Sequence, residues 1–230
     1  MNHSLSTVRI LGSVYALFFV VAFSGCSSNK ESLIMTHRSS EYPILDIILQ
    51  RHSPRAMSGE AISRNELMTV LEAGRWAPSS YNNQPWHFIY GSHGTPAWDT
   101  LFSLLVPFNQ SWVINGGVLI CVVAAKNFFA TGKPSRTHIL DTGAAWENMA
   151  LQATSMGLIC HGMEGFDYDR AKALLHIPDT HEVVMMFVLG KPAPTSVLPP
   201  ELAKREIPSD RVPLEDIISE GIFESSRVTK

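Results

Sequence analysis

The chain has 230 residues, of which 45% are hydrophobic and 17% charged, and its formal net charge is −3. That length and composition suit one substantial globular domain and exclude an intrinsically disordered chain. The weak negative charge and the lack of any basic run exclude an electrostatic footprint for nucleic acid, and three cysteines make no disulfide framework.

The N-terminal residues form a unit of their own. Arg9 precedes an apolar stretch from Ile10 to Phe23, broken only by Gly12 and Ser13. Ser24-Gly25-Cys26 then leads into polar Ser27-Ser28-Asn29-Lys30. The stretch is too short and wrongly flanked for a membrane span, and it reads as a secretory signal. Small residues before a cysteine and a polar linker after it resemble a bacterial lipoprotein signal, with Phe23 departing from the usual leucine. That resemblance implies lipidation at Cys26, a membrane tether there and a place at the cell envelope. The alternative is translation from Met35 and a cytoplasmic protein. Residues 1–40 are set apart as signal and linker, and residues 41–230 as the folded domain.

Within that domain, Ile44, Leu45, Ile47, Ile48 and Leu49 predict a short helix with a wide buried face. Ser63 and Glu66 have capping-box spacing, with Ile62 and Leu67 at the staple positions. The helix they open lines Leu67, Val70, Leu71 and Gly74 on one face, and Pro78 limits it. Residues 86–90 read as a strand and 98–105 as a helix. Residues 117–125 are continuously apolar and β-branched, as expected of a strand covered on both faces. Residues 139–156 predict a long helix. Its Gly143, Ala144 and Ala145 suit either close approach by another helix or plain packing inside one protomer. Residues 157–165 form a glycine-punctuated turn and short strand. Asp167 caps a helix over 168–175, and 182–189 is a second apolar strand. The tail from Pro192 is proline-rich, with a weakly amphipathic piece at 214–218. It has no core of its own and must lie along something else. Cys121 sits in an apolar run and is expected to be a buried thiol.

Three groups of residues could carry chemistry. Ala77-Pro-Ser-Ser-Tyr-Asn-Asn-Gln-Pro-Trp86 packs hydroxyls, amides and a tryptophan into one loop. Pro78 and Pro85 each fix their own φ and push the preceding residue out of the helical region. Neutral donors and acceptors at that density suit a large, planar, polar ligand. In Arg51-His-Ser-Pro-Arg55, residues 51, 53 and 55 share one side if the segment is extended. Two guanidiniums and a hydroxyl there make a phosphate receptor. In His161-Gly-Met-Glu-Gly165 the glycines let the main chain approach a ligand and expose N–H groups. An N–H aimed at a redox ring would stabilise charge as electrons arrive. Cys160 and His161 have no second pair at metal-ligand spacing. His52, His87, His176 and His181 lie in apolar or turn contexts as structural residues. Dinucleotide, phosphate-loop, nucleophile-elbow and zinc-helix signatures are all missing from the sequence.

Together these segments resemble the nitroreductase family of flavin enzymes. Arg51-His-Ser-Pro-Arg55 matches its R-[RH]-S-x-[RK] opening, and 77–86 matches A-P-S-S-x-N-x-Q-P-W. Gly162-Met-Glu-Gly-Phe166, Ile177-Pro178, Gly190-Lys-Pro192 and Arg211-Val-Pro-Leu-Glu215 follow in the family's order. Met57 stands where an aromatic is frequent, and Gly116-Gly117 where Ala-Pro is usual.

The resemblance implies an α+β fold (an α/β sandwich), with a mixed central sheet flanked by helices, in an intertwined homodimer with FMN at each of two interface sites. It assigns Arg51, His52 and Ser53 to the phosphate and ribityl chain, and places Arg55 nearer the ring. Pro78, Ser79, Ser80, Asn82 and Gln84 would come from the partner. The main chain at Met163, Glu164 and Gly165 would face the flavin N5 edge, Asn109 would touch the ring and Arg211 the phosphate. No side chain acts as catalytic acid or base, because the flavin performs the redox step. The implied activity is hydride transfer from NADH or NADPH to a small acceptor, a nitroaromatic or quinone, by a ping-pong cycle in one slot. A flavin-dependent dehalogenase or other reductive variant, and a non-catalytic flavin-binding protein of the envelope, are the alternatives.

Overall fold

The computed structural model describes residues 38–224. The signal-like segment, Cys26 and Met35 lie outside the described residues. No described helix is long and apolar enough to cross a membrane.

Helix α1 (Asp46–Gln50) is followed by α2 (Arg64–Arg75) and strand β1 (Trp86–Ser92). Then come α3 (Pro96–Leu104), α4 (Pro107–Val113), β2 (Val118–Ala125) and the long α5 (His138–Ser155). Strand β3 (Ile159–Met163), α6 (Tyr168–Leu174), β4 (His181–Gly190) and α7 (Pro200–Ala203) complete the regular elements.

Local chemistry explains most of the boundaries. The Ser63 side chain accepts from Glu66 N–H at 3.2 Å while Glu66 accepts from Ser63 N–H at 2.7 Å, so the capping box is closed. Asp167 accepts from Arg170 N–H at 2.9 Å and starts α6. Helix α3 starts earlier than 98, because Thr95 accepts from Trp98 N–H and Pro96 fits the first helical turn. Helices α4 and α7 were not expected from the pattern. Each is short and opens on a proline, which the sequence pattern offers equally as a turn signal.

The four strands lie in the order β1-β2-β4-β3. All pairings among the described residues are antiparallel, whereas a mixed sheet was expected. The reason is topological. Strands β2 and β3 run the same way, joined across α5, but β4 inserts between them and pairs antiparallel with both.

Alternation along β2 divides the core. Leu119, Cys121 and Val123 face a cluster with Trp98, Leu101, Trp112 and Met57. Val118, Ile120 and Val122 face Leu67 and Val70 of α2 and Met149, Ala150 and Ala153 of α5. Every residue of β2 is buried, Cys121 included, as a strand covered by helices on both faces requires. The α+β class therefore stands.

One expectation is corrected. Helix α1 buries none of its residues in this protomer, and Leu45 just before it is 70% exposed. Its apolar stripe is real but only partly covered, by contact with α5. Within the Gly143 patch Ala145 is buried, while a Cβ at 143 would meet nothing within 4 Å, so the protomer leaves that face open.

Candidate functional site

The loop after α2 is held in an unusual backbone. Tyr81, Asn82 and Gln84 all have positive φ, at 53°, 53° and 48°. Such values are uncommon outside glycine and are most costly at the bulky Tyr81. Three contacts maintain them. Ser79 Oγ accepts from Gln84 N–H at 3.0 Å. Buried Asp141 of α5 accepts from Ser80 N–H at 3.1 Å and from the Thr137 hydroxyl at 3.2 Å. Asn83 Oδ1 accepts from Phe129 N–H at 2.9 Å. Tyr81 is left 93% exposed, edge-on to Phe128 at 5.7 Å. Pro78, Asn82 and Gln84 are exposed and Ser79 and Ser80 half-buried, so the loop presents its polar groups outward.

The segment 51–55 does not act as one face. It is not part of a strand. Arg51 pairs with Glu147 of α5 at 3.4 Å. Arg55 turns inward: its guanidinium meets Glu206 at 3.4 Å and lies 5.7 Å over the Trp112 ring. The Glu206 carboxylate, only 5% exposed, also accepts from Arg55 N–H at 2.7 Å and Ala56 N–H at 3.2 Å. Arg55 Nε is buried without a hydrogen-bond partner. His52 Nδ1 donates to Gln50 O at 3.0 Å. The paired receptor read from alternation is thus corrected: two carboxylates draw Arg51 and Arg55 in separate directions.

Beneath this segment lies His161 on β3. Its Nδ1 donates to Pro54 O at 3.0 Å and its ring lies 4.6 Å from that of Trp112. Burial, reinforced by the Arg55 charge, lowers its pKa to about 4, against the hydrogen bond to Pro54. A neutral His161 is therefore a structural strut that fixes the 51–55 segment over the sheet. Cys160 beside it is buried, and burial raises its thiol to about 12, so it is no thiolate nucleophile at neutral pH.

In the turn after β3 the main chain is anchored from within the protomer. Met163 is buried in the core, so only its main chain can face a ligand. A Cβ on Gly162 would lie 2.8 Å from Met185 Cε and 3.1 Å from Trp146, and one on Gly165 would lie 2.7 Å from Asn109 Nδ2. Both glycines thus serve internal packing. Asn109 itself is buried and donates to Gly165 O at 3.0 Å, and Val106 N–H donates to the same oxygen at 3.1 Å. The start of α4 thereby fixes the turn's orientation. The main-chain N–H groups of Glu164 and Gly165 have no hydrogen-bond acceptor among the described residues. Both residues are at least partly exposed.

Arg211 is exposed in the tail and donates to Ser209 O and Asp210 O, each at 3.2 Å. No hydrogen bond or ion pair among the described residues joins Ser79, Ser80, Asn82 or Gln84 to Arg51, His52, Ser53, Arg55 or Arg211. One protomer therefore carries two unconnected parts: an amide-rich loop, and a cationic segment beside a turn with free N–H donors.

The nitroreductase family pattern matches residues 48–94 and 95–191, more than half of the chain. The chain belongs to the nitroreductase family. A family protein of Archaeoglobus fulgidus, provisionally named NADH dehydrogenase/NAD(P)H nitroreductase, is 30% identical over 152 residues, covering 64% of this chain and 84% of its own length. A crystal structure described as an oxidoreductase containing FMN is 41% identical and superposes with a TM-score of 0.78, covering 82% of this chain and 96% of that one. A provisionally assigned nitroreductase of Desulfovibrio desulfuricans, solved in complex with FMN, is 28% identical with a TM-score of 0.62, over 80% of this chain and all of that one.

Three residues that hold these segments escaped sequence reasoning: Asp141, Glu147 and Glu206. Asp141 and Glu147 fall on the long helix and carry no local signature. The local pattern around Glu206, Lys204-Arg205-Glu206, reads as solvated surface.

Proposed function

We propose that this protein is an FMN-dependent oxidoreductase that takes hydride from NADH or NADPH and passes it to a small acceptor, a nitroaromatic or quinone, in a ping-pong cycle. The observation that carries the reading is the pair of unpaired N–H donors at Glu164 and Gly165, held rigid by Asn109 and lying within a family whose solved relatives contain FMN.

When bound, FMN supplies the hydride-accepting and hydride-donating chemistry. The chain's own groups bind, orient and polarise. Arg51 and Arg211 offer permanent charge to a phosphate. His52 and Ser53 lie beside Arg51 for the phosphate and ribityl chain, with Arg55 below them. The Glu164 and Gly165 N–H groups donate toward ring acceptors, favouring negative charge on that edge without reorganisation. Pro78, Ser79, Ser80, Asn82 and Gln84 complete the ring's surroundings from a second copy.

A homodimer follows from the same reading. The two parts of the site are unconnected within a protomer, and Tyr42, Leu45, Leu140, Ile218 and Phe223 leave apolar surface exposed. A further part of the reading is a lipid tether at Cys26, which would place the domain at the envelope. Mass spectrometry of the native N-terminus tests it: a lipidated Cys26 supports the tether, and an N-terminus at Met35 removes it.

The central test is direct. The purified protein should be yellow, sediment as a dimer, and oxidise NADH or NADPH when a quinone is supplied. A colourless protein that rejects added FMN ends the proposal. A flavin-loaded protein that turns over neither nicotinamide leaves binding and removes the enzyme.

A further inference from the structure

One carbonyl oxygen in the tail accepts from two guanidiniums. Ser209 O receives Arg38 Nε at 2.9 Å and Arg211 Nη1 at 3.2 Å. Arg38 Nη1 also donates to Leu49 O at 3.1 Å and to Arg51 O at 2.8 Å. Three segments distant in sequence, at 38, 49–51 and 209–211, therefore meet on a single side chain.

That meeting gathers like charges. Burial lowers the Arg38 pKa first, and the positive charges of Arg211 and Arg51 lower it further, with Asp210 opposing. Asp210 opposes that repulsion, and Glu147, 42% exposed, is already engaged by Arg51. Cations brought this close repel one another, and the arrangement is best completed by an anion. Arg38 Nη2 has no partner among the described residues, so the cluster retains a free donor.

We propose that Arg38 is a positioning residue of the phosphate site: it clamps the Arg211 tail against the Arg51 turn, so that the site selects flavin carrying a phosphate over flavin without one. The inference rests on the FMN reading above, but it concerns only the phosphate end. Arg38 precedes the first helix, outside the segment matched by the family pattern.

The experiment is a pair of titrations on the full chain, stripped of flavin, with FMN and with riboflavin, followed by flavin fluorescence. Wild type should prefer FMN. Arg38→Met should lose about tenfold in FMN affinity, the scale of one charge-assisted contact, while riboflavin affinity stays within about twofold. Arg38→Lys, which keeps the charge without the fork, should recover part of the difference. If Arg38→Met does not fold by thermal melting, Arg38→Lys carries the test, with FMN affinity falling and riboflavin affinity unchanged. Parallel loss of both flavins, or no change in either, overturns the clamp. A wild type that binds both flavins equally also overturns it while leaving the flavin reading intact. A wild type that binds neither overturns the FMN reading itself.

Discussion

The central sheet and the straps that cross it are held by opposite physics. Strands β2 and β4 are stabilised by apolar burial on both faces, with Phe187, Val188 and Leu189 fully buried. The segment 38–56 and the tail beyond β4 bury only a few core residues, Ala56, Leu198 and Leu202, and add discrete polar contacts: Arg38 to Ser209 O, Glu206 to the Arg55 and Ala56 N–H groups, and Glu41 to Leu214 N–H. Site groups lie on the straps and at the strand ends. The sheet can therefore persist while the straps loosen, as expected where ligand-binding segments are drawn from the less stable parts of a fold.

The sharpest way to test that contrast is to damage each side separately. Phe187→Ala removes a fully buried ring from between two helices and the sheet, and should cost about 3–5 kcal/mol. The measure is the urea midpoint at unchanged slope. Glu206→Ala should cost about 3 kcal/mol, because it leaves the Arg55 guanidinium largely buried without its counter-charge. Its signature should differ in kind. Native-state proteolysis should cut the 192–224 tail sooner, while amides of β2 and β4 keep their protection from exchange. Equal loss of protection in sheet and tail would show that the two regions unfold as one.

A pH titration probes the joint between them. His161 sits on the sheet and supports Pro54 of the strap. Its pKa is about 4 in the folded protein, against 6.5 ordinarily, with burial the main cause. The unfolded chain therefore takes up a proton first as pH falls. The stabilising effect is complete above pH 6.5 and is lost progressively down to pH 4. At pH 4.5 the loss should be about 2–3 kcal/mol. His161→Asn keeps an N–H donor but does not titrate, so its stability difference between pH 8 and pH 4.5 should shrink by that amount. Chemical denaturation at the two pH values reads it. An unchanged difference would mean that His161 takes up its proton equally in the folded and unfolded chain.

The same division governs what the sequence disclosed. Its apolar runs became β2 and β4, and its Ser63–Glu66 and Asp167 signals became caps, because each depends on neighbours within a few positions. Nothing local announces that Glu206 will meet Arg55, that Asp141 will hold Ser80, or that Arg38 will reach Ser209, since these partners are separated by 151, 61 and 171 positions. Motif matching singled out Arg51, Ser79 and Gly165 but could not show what holds them. Gly162 and Gly165 read as close main-chain approach to a ligand, and Met185, Trp146 and Asn109 pack against the same glycines from within the protomer. The alternation of 51, 53 and 55 read as one face because the carboxylates that separate the arginines come from α5 and from the tail.

The smallest effects sharpen the contrast furthest, since they hold the energy nearly constant and change only the location. Asp141→Ala removes the acceptor for Ser80 N–H and the Thr137 hydroxyl, and should cost about 1–2 kcal/mol. Ser63→Ala opens the capping box of α2 and should cost about 1 kcal/mol. Bulk stability barely separates the two variants. Loop conformation does, because Asp141 is what holds a backbone with three left-handed non-glycine residues, and Ser63 holds an ordinary helix start. Releasing the Ser80 anchor lets Tyr81 relax from a strained φ, so amide exchange and backbone chemical shifts should change across 79–84 in Asp141→Ala and remain as in wild type in Ser63→Ala. If both variants leave 79–84 unperturbed, the loop's shape is set by Pro78, Pro85 and the Asn83 contact to Phe129, and Asp141 is an ordinary helix residue.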